Sequence, residues 1–294
     1  MQNYVITTCS TADVNFEYLK AKNIDYLPFS FYLDEKEYKD DMGISMPHSE
    51  FYNAIKNGAT PSTSQPNVDE IKAFFKPYLE NGKDVIHLML SSGLSGAMTS
   101  AKIAVDELKE EYPSNKIYVV DSLGASSGMA ILASQMADLK NSGMGIDELY
   151  AWTEENKLNV HHWFFTTDLT YLVKGGRVSK VAGWFGTILK ICPLLNVDIN
   201  GKLVAREKVR GKTNVIKQIV KKMQENVTDI DYCGACMISH SDAYDDAKAV
   251  AHLVAEKFPN LKGKIEINSI GPTIGSHTGP GTVALFFIGK KREN

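Results

Sequence analysis

Cysteine is scarce in this 294-residue chain: the four are Cys9, Cys192, Cys233 and Cys236, too few and too dispersed to staple a fold of this length. Only Cys233-Gly-Ala-Cys236 has redox or zinc spacing, but it precedes a strand-like run instead of opening a helix, and no second pair lies nearby. Neither thiol exchange nor a zinc site is therefore expected. Long apolar runs are missing too. None approaches the roughly 20 residues that span a bilayer, and Met1 to Ser10 has no basic flank of a signal peptide. The expected location is the cytoplasm, with any membrane contact peripheral and transient. Nor is there an excess of positive charge: 32 Lys and Arg face 35 Asp and Glu, and the basic residues are scattered. Such a chain leaves no electrostatic footprint for nucleic acid, so no nucleic-acid partner is expected.

Cofactor and catalytic motifs also fail. Gly211-Lys212-Thr213 looks like the end of a phosphate loop, but the required first glycine falls at Arg206. Gly93-Leu-Ser-Gly96 is not a nucleophile elbow, because Ala97 stands where the closing glycine belongs. No GxGxxG follows the first strand, and no HExxH or acidic calcium loop occurs. The expectation is no cofactor and no metal.

What is present is alternation. Tyr4 to Thr8 reads as a strand, Asp13 as the cap of a helix over Val14 to Lys22, and Ile24 to Leu33 and Glu37 to Asp40 as further strands. A helix begins at Ser45 or Ser49, and another at Asn67 carries Ile71, Phe74, Phe75 and Leu79 at helical spacing. Val85 to Leu90, Gly96 to Glu111, Lys116 to Val120 and Gly124 to Leu139 then run strand, helix, strand, helix, the pattern of parallel βαβ units. After a helix over Ile146 to Asn156 and a strand over Val160 to Thr166, the runs Ile191 to Ile199 and Lys202 to Arg210 flank Asn200-Gly201. That dipeptide supplies two positive φ values for a type I′ hairpin. The expected class is α/β in two domains: a doubly wound, mostly parallel sheet over residues 1–157 and an α+β domain with antiparallel strands over 158–294. A cleft between them is a natural ligand site.

Three segments are too rich in hydroxyls, Gly and Pro for routine connections and read as loops: Thr60 to Pro66, Ser91 to Gly96 and Gly271 to Gly281. Ser91 to Gly96 joins a strand to a helix start, where free N–H groups favour an anion, although Ser92 or Ser95 could equally cap the helix. Polar side chains on the proline-stiffened Thr60 to Pro66 suit an oxyanion or a plain turn. His277 alone among seven histidines sits in glycine-rich surroundings, which marks it as functional and the others as structural. The glycine pair of Lys174-Gly-Gly-Arg177 either frees a guanidinium to reach an anion or closes a helix.

In order, Thr60-Pro-Ser-Thr-Ser-Gln-Pro66, Ser91-Ser-Gly-Leu-Ser-Gly96, Asp121-Ser122, Gly175-Gly-Arg177 and Ile270 to Gly281 resemble the DegV family of bacterial lipid-binding proteins, over essentially the whole chain. The resemblance implies a non-catalytic, fatty-acid-binding subunit of a fatty acid kinase. A long-chain acyl group lies between two α/β domains, and a separate ATP-dependent subunit phosphorylates its carboxylate to an acyl phosphate for phospholipid synthesis. It assigns the carboxylate to Thr63, Ser95 and His277 or Thr278. Ser64, Arg177 and Arg210 become further ligand or partner contacts, Arg210 in a basic stretch that Gly211 interrupts.

The energetics agree: at roughly 0.8 kcal/mol per CH₂, ~14 buried methylenes offer at most ~11 kcal/mol before entropy losses. Met89, Met98, Met129, Met136, Phe164, Phe165, Ile188 and Leu189 are candidates for the tunnel wall. Val178 to Leu189, with Trp184 and Phe185, reads as a lid that touches the membrane during loading or as a buried helix. Two rivals stand beside this reading. One is a regulatory module that responds to lipid; the other is a hydrolase using Ser95, Asp121 or Asp168, and His277 in the Ser, acid, His order.

Overall fold

The computed structural model describes residues 3–178, 191–229 and 231–293. The first strand, β1 (Tyr4–Cys9), is followed by Asp13 in a left-handed backbone conformation with φ 49°. Asp13 therefore does not cap the next helix, α1 (Phe16–Ala21); Asn15 does, its side chain accepting from the Tyr18 N–H. The single strand expected from Ile24 to Leu33 is two. Pro28, without an N–H, separates β2 (Ile24–Leu27), which joins β1, from β3 (Ser30–Leu33), which leaves for another sheet.

There β3 pairs with β4 (Lys36–Lys39) and, beyond the helix α2 (His48–Lys56), with β5 (Pro61–Ser64), in the antiparallel order β4-β3-β5. Thr60 to Pro66 is thus an edge strand more than a loop, with Pro61 at the first position, where a missing donor costs least. The Asn67 start is as expected: α3 (Val68–Glu80) opens with a capping box formed by Asn67 and Glu70. Next come β6 (Asp84–Met89), α4 (Ala97–Glu111), β7 (Ile117–Asp121), α5 (Ser127–Asn141) and α6 (Ile146–Asn156). The sheet β2-β1-β6-β7 is parallel throughout. Val85 to Met89 are all buried, as helices on both faces require.

The remaining elements are β8 (Val160–Phe165), α7 (Thr170–Lys174), β9 (Ile191–Val197), β10 (Leu203–Arg210), α8 (Lys212–Asn226), β11 (Cys236–His240), α9 (Tyr244–Lys257), β12 (Glu266–Ser269), α10 (Pro272–Thr278) and β13 (Val283–Ile288). They form a six-stranded mixed sheet, β10-β9-β8-β13-β11-β12, parallel only between β11 and β12. The class is therefore mixed α/β, a parallel sheet plus a separate mixed one. Gly271 to Gly281 is not a loop. Pro272 suits a first helical position because its fixed φ is helical and its N–H is not needed, and Gly279 at φ 67° stops the helix after two turns.

The hairpin also differs from expectation. Only Gly201 takes a positive φ, at 70°, and the Asp198 carboxylate accepts from the Asn200 and Lys202 N–H groups. The result is a three-residue loop closed by a left-handed glycine instead of a type I′ turn. Its tip meets the loop after β6: Ser91 Oγ donates to the Gly201 carbonyl at 2.8 Å, and a Cβ on Gly93 would lie 2.6 Å from that oxygen.

α5 is the element between the sheets. It packs on β1 and on β8, β11 and β13. Nine of its residues from Ser127 to Ala137 are buried, including Met129, Ile131, Leu132 and Met136, the property of a helix covered all round. The opposite face of the six-stranded sheet is covered by α8 and α9. Among the described residues no helix is long and apolar enough to cross a membrane.

Arg292 ties this arrangement at the chain's end. It is buried, with Nη1 donating to the Val197 and Asp198 carbonyls and Nη2 to the Leu123 carbonyl; burial pulls its pKa down to about 10. Arg292→Ala strands three carbonyls and is expected to cost about 2–4 kcal/mol, read as a lower urea midpoint with an unchanged m-value.

Candidate functional site

Strand alternation places Val160, His162 and Phe164 on one face of β8, opposite Ile288, Phe286 and Ala284 of β13. Val160, Phe164, Ala284 and Phe286 join the core that α5 completes. Beside this face lies a cavity of about 350 Å³, in the range of about 300–1,000 Å³ usual for small-molecule sites. Phe29, Leu90, Phe164, Val197, Ile270 and Phe286 supply apolar wall; Thr63, Ser64, Ser95, Arg177, His277 and Thr278 supply polar wall.

The polar groups form one connected set. Thr63, held on β5 opposite Phe31, has its Oγ1 2.8 Å from His277 Nε2. His277 is in the last turn of α10, and its Nδ1 is buried without a partner against Gly175, where any Cβ would collide with it. That collision explains one glycine of the pair. The other, Gly176 at φ 72°, closes α7 in a Schellman turn: the Gly176 N–H reaches the Val173 carbonyl and the Arg177 N–H the Leu172 carbonyl. Both readings of the pair therefore hold, since the helix stop delivers Arg177 to the cavity. Its Nε donates to the Leu94 carbonyl at 3.2 Å and Nη1 to the Gly175 carbonyl. Next along the chain, Ser95 Oγ donates to Gln65 Oε1 at 3.3 Å and accepts from the Ala97 N–H, so it both supports the helix start and lines the cavity.

The electrostatics favour an anion. Among the described residues no carboxylate lines the cavity and none forms an ion pair with Arg177. Burial lowers the Arg177 pKa, yet a guanidinium remains charged in any ordinary medium. Burial, aided by that charge, pulls His277 down to about 4. The site is thus a fixed cation, a neutral imidazole and several hydroxyls.

α10 is fixed from its other end. Asp13 Oδ1 accepts from the Gly271 N–H at 2.9 Å, Asp40 Oδ2 accepts from the Thr273 N–H at 3.1 Å, and Tyr52 donates to the Ile270 carbonyl. Both carboxyls are fully buried, which raises their pKa values.

Six of the seven residues expected from the sequence meet in this cavity. Arg210 does not: it is exposed at the end of β10, paired with Ile191. Of the expected tunnel residues Phe164 is wall, whereas Met89, Met98, Met129, Met136 and Phe165 are core behind it. Ile188, Leu189 and the expected lid beyond Val178 lie outside the described residues. A hydrolase triad is not assembled: His277 pairs with Thr63, Asp121 Oδ1 accepts the Ser92 and Leu123 N–H groups, and Asp168 Oδ1 accepts that of Thr170. Sequence reasoning passed over His162, Ser126, Thr273 and Thr282, which also line the cavity. For His162 the signal was available, since it shares strand parity with Phe164.

Because the folded-state pKa of His277 is far below its usual 6.5, the imidazole is neutral throughout the physiological range. Anion affinity should consequently be flat between about pH 5.5 and 8, measured by displacement of a fluorescent fatty acid; a loss of affinity centred near 6.5 would show that a protonated His277 does the binding.

Comparison with known proteins finds relatives over nearly the whole chain. The model of a family described as uncharacterised proteins of the DegV family matches residues 3–290. A DegV domain-containing protein of Clostridium perfringens is 37% identical over 293 residues, covering 100% of both chains. Among solved structures, a DegV lipid-binding protein from Thermotoga maritima superposes with a TM-score of 0.85 at 29% identity, covering 100% of each chain. A fatty-acid-binding DegV protein from Bacillus subtilis does so with a TM-score of 0.82 at 26% identity, covering 99% of this chain and 100% of that one.

Proposed function

Since this chain belongs to the DegV family, we propose that it binds a long-chain fatty acid, tail against the apolar wall and carboxylate at Thr63, Ser95, His277 and Thr278, with Ser64 and Arg177 beside them. The observation that carries this reading is the cavity itself: a largely apolar wall with a cluster of polar groups around Arg177, a cation that forms no ion pair among the described residues. An amphiphile with one negative head and a long tail is the ligand class such a chamber selects. The tail supplies most of the affinity, at about 0.8 kcal/mol per CH₂, and the hydroxyls satisfy a carboxylate that would be costly to bury alone.

In the same proposal the chain does no chemistry. It presents the carboxylate to a separate ATP-dependent kinase subunit, where a carboxylate oxygen attacks the γ-phosphorus, ADP leaves and an acyl phosphate forms. Residues 1–157 and 158–294 act as the two domains with the lipid between them, in the cytoplasm, loaded by transient contact with a membrane surface. Exposed Arg210 is available to the kinase.

Three measurements test this. Mass spectrometry of the denatured, purified protein is expected to release a long-chain fatty acid; protein free of lipid that also fails to take up oleate would sink the reading. Thr63→Val and Arg177→Met should each weaken fatty-acid binding by about tenfold to a hundredfold, or ~1.5–3 kcal/mol. Adding the kinase subunit and ATP to loaded protein should yield acyl phosphate, and its absence would leave binding without presentation.

A further inference from the structure

We propose that Gln65 is a positioning residue whose side-chain amide turns over when a carboxylate enters the cavity, reversing a short chain of hydrogen bonds so that the Ser95 hydroxyl donates to the head group. The inference rests on the fatty-acid reading above and adds to it how the empty site becomes the loaded one.

Gln65 lines the cavity two residues beyond Thr63, and its amide reaches across to the start of α4. Ser95 Oγ donates to Gln65 Oε1 at 3.3 Å, and Gln65 Nε2 donates to Ser100 Oγ at 3.2 Å. The amide is seated over Gly96, where a Cβ would lie 2.8 Å from Oε1 and 3.2 Å from Nε2. Gly96 has φ −76° and ψ 0°, a turn conformation that most residues adopt. The backbone therefore does not call for a glycine here; the Gln65 amide does. Three positions at one helix start, Ser95, Gly96 and Ser100, are fitted to a single side chain from another segment.

A count of protons shows what this arrangement withholds. A serine hydroxyl has one proton to donate and two lone pairs to accept with. The Ser95 proton lies towards Gln65 Oε1, and one lone pair takes the Ala97 N–H at 3.2 Å. No donor is left for an anion, while an ionised carboxylate only accepts. Held this way, Ser95 would turn oxygen towards oxygen at the head group.

A half-turn of the amide removes the conflict. Oxygen and nitrogen exchange places with almost no change of shape, and the Ser100 hydroxyl donates as readily as it accepts. Ser100 Oγ then donates to Oε1, Nε2 donates to the second lone pair of Ser95, and the Ser95 proton is free for the carboxylate. Both bonds within the protein are kept and one to the ligand is added. A hydroxyl that accepts from an amide N–H is also a stronger donor, because bonds in a chain polarise one another. Gln65 is exposed and Gly96 has no side chain, so packing does not lock the amide in one orientation.

The test uses the full chain stripped of lipid, with displacement of a fluorescent fatty acid by hexadecanoic acid and by hexadecanol. The alcohol has the same tail, and its head can donate to the remaining Ser95 lone pair without any turn of the amide. Gln65→Leu is expected to weaken the acid by about threefold to tenfold and to leave the alcohol unchanged. In Ser95→Ala the same change is expected to have no further effect on the acid, because the amide acts through that hydroxyl. Alcohol binding by each variant reports its folding. Should Gln65→Leu fail to fold, the side-chain ¹⁵N–H₂ resonances of Gln65 in the wild type decide: they should move on adding the acid and stay put with the alcohol. Acid affinity unchanged by Gln65→Leu, equal losses for acid and alcohol, an undiminished loss in Ser95→Ala, or amide resonances that do not distinguish the two ligands each overturn the positioning role and leave fatty-acid binding intact. If hexadecanoic acid does not bind the wild-type protein, both readings fall together.

Discussion

Two buried carboxylates hold the start of one short helix, and the polar end of the cavity around His277 depends on that grip. Asp13 arrives from the turn after β1 and Asp40 from the end of β4, and they accept the Gly271 and Thr273 N–H groups at the start of α10. Segments more than 200 residues apart in sequence are joined this way. The arrangement is costly on its own terms. Both carboxyls are shut away from water and crowd the same glycine, a Cβ on which would lie 3.0 Å from Asp13 Oδ1 and 3.3 Å from Asp40 Oδ2. Burial raises both pKa values, so the folded chain binds these protons more tightly than the unfolded one, and ionising them works against folding as pH rises above 3.8. What offsets this is direction. With its N-terminus fixed at two points, α10 has one rotation, and its last turn puts His277 against Thr63; a slip of one residue would swing that ring by about 100°.

The apolar wall follows a different logic. α5 and the inner face of the six-stranded sheet would close into continuous core if every position carried a large side chain. Instead Ala125 and Ala284 are small, and Gly124 and Gly128 give their volume to His162. Space thus remains next to a well-packed sheet, and its walls are rigid because the residues behind them, Met129, Met136 and Phe165 among them, are fully buried. The methionines that the sequence suggested as an adaptable wall serve as that backing.

Much of this was legible in the sequence because it rests on local physics. The βαβ alternation, the Asn67 start of α3 and the apolar β6 are short-range patterns, and their bounds stand within three residues of expectation. The errors arise where distant residues decide. Asp13 looks like a helix cap until Gly271 claims its carboxylate. Thr60 to Pro66 looks like a loop until β3 offers it an edge. Gly271 to Gly281 has the composition of a loop, yet Pro272 and the carboxylates beneath it make a helix. Six of the residues singled out by motif meet in one cavity, since each of their segments carries its own signature. His162 was not singled out, although its strand parity with Phe164 put it on the same face.

The geometry of Arg177 bears on how a carboxylate could be bound and still react in the proposed role. A guanidinium that grips a carboxylate through two parallel bonds ties up the oxygen that must attack. Here Nε and Nη1 already serve the Leu94 and Gly175 carbonyls, so the charge acts on the cavity mainly through space. Proximity to that charge keeps a carboxylate ionised, and His277, held neutral by burial and by the same charge, adds no second cation. In the proposed role direct contact falls to Thr63, Ser95, His277 and Thr278, neutral groups that satisfy an oxygen without neutralising it. The division of labour is between a cation that sets the charge state of the head group and neutral donors that set its position, which is the combination a nucleophile waiting for another protein's phosphate requires.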